Sequence, residues 1–204
     1  MPNMGFFELG LLGSIFWVSL LPFVLLGLAI PYAVLRVRDS REQPDSQLGL
    51  KTGLHYFLSV GILQFLIGLS ITSWDLITRE DRLPRKGADA DEALRVGVAV
   101  AAVGAAFAFL HLILLTAGTD DSRKPIVRRT FTGWRFAIHG LVVLFCVTAW
   151  LTIIVQKSAH WKDVKPFFAI LLVWFPSWLV HIILLWIRAI GYRPDRLRSL
   201  REEE

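Results

Sequence analysis

Four of the five histidines, His55, His111, His139 and His181, stand inside stretches of apolar sequence. An ionisable group in such a stretch is costly and by default marks function. Imidazole nitrogens ligate haem iron, zinc or copper, relay protons and sense pH. Two histidines on facing helices can hold a haem b through its axial positions, and Arg135, one helical turn from His139, is placed to meet a propionate. The candidate cofactor-binding set is therefore His111, His139 and His181, with His55 and Arg135. Purely structural burial is the commoner use of such histidines and stands beside the redox reading. The sequence has no CxxCH, HExxH or CxxC pattern, so no metal is named by spacing. Cys146, the single cysteine, has no partner for an internal disulfide and reads as a buried, inert thiol.

The elements that must position these groups are membrane helices. Of the 204 residues, 54% are apolar and 19% charged, with a mean hydropathy of +0.54, and the apolar residues form long continuous runs. That excludes a soluble enzyme, a disordered tail and a disulfide scaffold. Five runs predict an all-α, multi-pass bundle as a single membrane domain: Gly10–Leu35, Gly53–Ile77, Ala93–Ala117, Gly133–Gln156 and Pro166–Ile190. Each exceeds the roughly 20 residues needed to cross about 30 Å of hydrocarbon.

Basic residues set the expected orientation. Counting alternate flanks gives 14 lysines and arginines on one side and 8 on the other, which predicts the N-terminus outside and the C-terminus cytoplasmic. A bacterial inner membrane is the expected location. At about 1.5 Å per residue, His111, His139 and His181 then share one depth, roughly 10 Å inside the cytoplasmic ends of their spans, with His55 shallower. The basic residues flank apolar spans and do not form one aromatic-studded face, so lipid headgroups suit them and nucleic acid does not.

The third span is rich in small residues, with Gly97/Ala101 and Ala101/Ala105 four apart. Small side chains let helix backbones approach, so this helix is expected at the centre of the bundle, its seam serving internal packing before a partner subunit. Trp174 and Trp178 share a face with His181; core bulk is expected of them ahead of cofactor stacking. Gln64 with nearby serines, and the proline kinks at Pro22, Pro31 and Pro176, are the only hints of an oligomeric channel or transporter, since no acid lies at mid-depth. With short loops and no catalytic motif, the expected function is a non-catalytic integral membrane subunit or scaffold. Its expected partners are other membrane subunits or further copies of itself, and the alternative is a bis-histidine haem electron-transfer protein.

Overall fold

The computed structural model describes residues 26–37, 39, 44–79, 92–120, 126–155 and 160–191. These form five helices: α1 (Leu26–Val37), α2 (Leu48–Thr78), α3 (Glu92–Gly118), α4 (Ile126–Val155) and α5 (Trp161–Gly191). No strand occurs among the described residues. The last four helices are long and apolar enough to cross a membrane. The first predicted span lies mostly outside the described residues, with α1 covering only its end.

The helices outrun the apolar stretches. α4 begins seven residues before Gly133 and α5 five before Pro166. At about 1.5 Å per residue a 31-residue helix is roughly 46 Å long, longer than the about 30 Å of hydrocarbon that a span has to cross. α5 continues through Pro166 and Pro176. The backbone groups that a proline leaves over in a membrane helix are taken up by neighbouring helices and hydroxyls.

The seam between α2 and α3 is made by missing side chains. A Cβ on Gly61 would meet the backbone of Ala108, one on Gly68 that of Ala101, one on Gly104 that of Phe65, and one on Gly97 Thr72. Residue numbers rise on one helix as they fall on the other, so the pair is antiparallel. Four glycines in register bring the two backbones into direct contact, where dispersion and weak polar contacts replace the hydrophobic effect that lipid removes.

This seam corrects the expectation for the third helix. Its small residues do serve internal packing, but among the described helices α3 makes extended contact with α2 alone, and its other faces are largely exposed. The most enclosed helix is α2, which packs against α3, α4 and α5. Leu66 of α2, Val143 of α4 and Trp174 of α5 form one core cluster, and Trp174 Nε1 donates to Ser70 Oγ at 2.9 Å. A second cluster joins Leu35 of α1, Leu48 of α2, and Val127 and Phe131 of α4. Trp74, Trp161 and Trp186 are exposed within about five residues of helix ends, and Trp134 is exposed where the apolar run of α4 begins, as an interfacial belt requires.

Candidate functional site: a histidine–arginine chamber

On α4, Arg128, Thr132, Arg135 and His139 follow one another at spacings of four, three and four. That interval places all four on one helical face, and the face turns inward: Thr132 and His139 are buried, as is Arg135. α5 supplies Ser177 and His181, one turn apart on its facing side. α2 supplies His55, whose ring stacks on Phe131 of α4 at 5.9 Å between centroids, and Ser59, which accepts a long bond of 3.4 Å from Arg135 Nη1.

His55, Arg128, Thr132, Arg135 and His181 border a chamber of about 340 Å³ at the end of the bundle where α2 and α4 begin and α3 and α5 finish. Its wall is formed by His55 and Leu58 of α2, Arg128, Thr132 and Arg135 of α4, and His181 and Leu184 of α5. Leu112, Leu115 and Thr116 of α3, with Thr119 just beyond it, complete the wall. Two guanidinium groups, two imidazoles and three hydroxyls thus face a space otherwise lined with leucine, and among the described residues no carboxylate borders it. In a medium of low dielectric such a wall favours an anionic guest strongly.

Behind the chamber, His139 and His181 are paired through Ser177. The carbonyl of Ser177 accepts from His181 Nδ1 at 2.7 Å, and its hydroxyl bonds His139 Nδ1 at 3.1 Å. A carbonyl can only accept, so His181 carries its proton on Nδ1 when neutral and keeps Nε2 as a lone-pair donor. The two rings are edge-to-face with centroids 4.7 Å apart, and Trp174 meets His139 edge-on at 5.3 Å. His139 is fully buried, and its Nε2 has no hydrogen-bond partner.

The sequence-derived residues therefore divide. His139, His181, His55 and Arg135 gather at one end, whereas His111 does not join them. Its ring lies against Phe57 of α2 and Phe107 of its own helix, and its Nδ1 donates to the Phe107 carbonyl at 2.8 Å. Equal depth did not give an equal face. Nor is the closest pair an axial haem pair. Two imidazoles on one iron hold their centroids roughly 6 Å apart, given metal–nitrogen bonds of about 2 Å, and His139 and His181 are closer than that. Among the described residues no three histidine, cysteine or acidic side chains are grouped to hold a metal.

Residues that the sequence reading missed are Arg128, Thr132 and Ser177. Arg128 falls before the apolar run and counted there as loop charge, although its spacing to Arg135 and His139 was a readable signal. Lys51 was treated in the same way. It is fully buried in the first turns of α2, bonded to Asp45 at 2.8 Å and also to Asp120 after α3. Burial pulls its ammonium pKa down, but the hydrogen bonds to Asp120 and Asp45 outweigh this and the net shift is upward.

Fold and site together define an all-helical bundle with four membrane-capable helices and an electropositive chamber at one end. The chain matches no protein-family model, no curated protein and no solved structure.

Proposed function

We propose that this is a non-catalytic integral membrane protein whose working part is the chamber, and that the chamber binds a small molecule through an anionic phosphate or carboxylate group. The observation that carries the reading is the wall itself: Arg128, Arg135, His55 and His181 around one cavity, with no acid among the described residues that line it. Guanidinium forks bind such oxyanions in a bidentate manner, and more strongly where water is scarce. Five spans, a cytoplasmic chamber and a bacterial inner membrane belong to the same reading, supported by the basic-residue asymmetry. The subunit or scaffold role fits a binding protein without catalytic groups, and the exposed apolar faces of α3 and α4 suit lipid as well as a partner.

The test is thermal unfolding in neutral detergent with inorganic phosphate, short-chain phosphatidic acid or a short-chain fatty acid. A ligand at one hundred times its Kd stabilises by about 2.7 kcal/mol. At least one of the three should raise the melting temperature of the parent protein and leave Arg135→Gln unmoved. No response to any of them overturns the reading.

A b-type haem is the second reading, favoured by one observation: His55 and His181 line the same chamber from α2 and α5, and the Nε2 of His181 keeps its lone pair. A Soret band in the purified protein, lost in His181→Ala and kept in His160→Ala, is its expected result. A colourless preparation after expression with added haem removes it.

A further inference from the structure

We infer that the chamber's guest is a small amphiphilic anion, an oxyanion group joined to hydrocarbon, and neither an inorganic ion nor a polyhydroxylated phosphate. The inference rests on the anion-binding reading above and adds the chemistry of the rest of the guest. Three observations carry it.

First, the wall divides by helix. Among the described residues that line it, α4 contributes Arg128, Thr132 and Arg135 and no apolar side chain. From α3 come Leu112, Leu115 and Thr116, with Thr119 just beyond. The two helices border one cavity without extended contact between them among the described residues. A guest whose anionic end meets the guanidinium groups of α4 thus lays the rest of itself along α3. Leu58 and Leu115 are buried, so hydrocarbon placed against them is taken out of water.

Secondly, the hydroxyls on the α3 side are already committed. Thr116 Oγ1 donates to the carbonyls of Leu112 and Ile113, each at 3.0 Å, and Thr119 Oγ1 donates to the Leu115 carbonyl at 2.7 Å. A hydroxyl has one proton to give. This side therefore offers a guest leucine and threonine methyl groups, and the hydroxyls of a sugar or polyol laid against it would lose their water without adequate replacement. Thirdly, the chamber is small. Its volume of about 340 Å³ is at the low end of small-molecule sites, which run from roughly 300 to 1,000 Å³, and suits a short chain or a single ring.

The experiment is thermal unfolding of the full chain in neutral detergent with two soluble series. One is acetate, butanoate and hexanoate; the other is inorganic phosphate, butyl phosphate and hexyl phosphate. In at least one series, the concentration giving half the maximal rise in melting temperature should fall about four-fold per added methylene, the equivalent of about 0.8 kcal/mol per buried CH₂. Glucose phosphate should act no better than inorganic phosphate, and hexanol, which lacks the charge, should not act. In Leu112→Ala/Leu115→Ala the advantage of the six-carbon ligand over the smallest of its series should shrink at least about ten-fold. Leu112→Asn alone, at a position 47% exposed, should shrink it as well if the double variant does not fold, and Leu114→Ala, outside the wall, should leave it intact.

If affinity is independent of chain length in both series, or glucose phosphate outdoes hexyl phosphate, the anion site stands and the hydrocarbon-bearing guest falls. An undiminished chain-length advantage in the leucine variants puts the chain elsewhere and overturns the inference. If hexanol stabilises as well as hexanoate, or Arg135→Gln keeps the full response to the six-carbon anions, the cavity takes hydrocarbon without regard to charge and both readings are lost. Silence from both series removes the anion reading and this inference with it.

Discussion

His139 and His181 lie edge-to-face with ring centroids 4.7 Å apart, on different helices, and a single residue, Ser177, bonds both. The serine sits one turn before His181, so its carbonyl reaches that ring along α5 and its hydroxyl reaches across to α4. This one residue fixes the mutual angle of the two imidazoles.

Ser177→Ala removes only the hydroxyl. His181 keeps its carbonyl partner, while His139, fully buried, loses the one hydrogen bond its ring makes in the structure. Interhelical hydrogen bonds in membranes average about 0.6 kcal/mol, and a stranded buried polar atom costs about 1–3. The expected destabilisation is about 1–2 kcal/mol in reversible unfolding from mixed micelles. A loss below a few tenths would mean that the hydroxyl does not hold His139.

Trp174→Phe tests the second polar link, between α5 and α2. The ring volume is largely retained, but the donor to Ser70 Oγ is gone, and Ser70 keeps its own bond to the Leu66 carbonyl at 2.8 Å. Stability should fall by about 0.5–1.5 kcal/mol in the same assay. Ser70→Ala should fall no further when combined with it, since both changes remove one interaction.

The Lys51 cluster should be far more sensitive. Removing one partner of a buried ion pair leaves an uncompensated charge, at a cost of about 3–5 kcal/mol, so Lys51→Met should strand Asp45 and unfold that end of the bundle. Asp120→Asn should cost much less, because its side chain is 39% exposed and water can replace the loss. The folded-state pKa of Lys51 lies above its ordinary 10.5. Its contribution is therefore fully present below pH 10.5 and disappears as the pH rises through the folded value. A melting temperature that does not fall as the pH is raised past 10.5 would contradict this assignment for Lys51.

Gly104→Leu should force α2 and α3 apart, because the nearest atoms are the Phe65 amide nitrogen and the Gln64 carbonyl carbon, which cannot rotate away. Overpacking of this kind costs about 1–3 kcal/mol, read as a lower melting temperature in detergent. Gly53→Ala, on the same α2 but with nothing within 4 Å, should move stability the other way, by up to about 1 kcal/mol. If both substitutions behave alike, the glycine seam is not what holds the pair.

The expected five-span topology is checked by labelling. Asn3→Cys and Ser199→Cys should react with an impermeant reagent from opposite faces of the membrane, with Cys146 silent because it is buried. Reaction from the same face would leave four spans.

How much of this was legible depended on the kind of signal. Continuous apolar runs locate membrane helices from composition alone, and all four long helices sit where those runs are. Depth was legible too, which is why His139 and His181 were placed level. Facing was not: whether His111 turns to α4 or to α2 depends on which neighbour α3 packs against, and a small-residue helix needs only one tight neighbour to use its glycines. The α4 stripe from Arg128 to His139 could have been seen from its spacing. It was divided at Gly133 because hydropathy, not helical periodicity, set the boundary. Lys51 shows the same limit, since a cation two residues before an apolar run reads as solvated until its two aspartates are brought round by the fold.

The α2–α3 pair carries a consequence for how the chain is built. Chain connects the two helices at one end, the Lys51–Asp120 clasp joins them at the other, and the glycine seam fills the length between. None of these contacts borrows a residue from α4 or α5. A hairpin with its own seam and its own clasp has what it needs to assemble as soon as Asp120 has been synthesised, in the order that membrane helices follow when they insert first and associate afterwards. α4 and α5 would then dock on the remaining faces of α2, and the chamber would be the last part of the molecule to take shape.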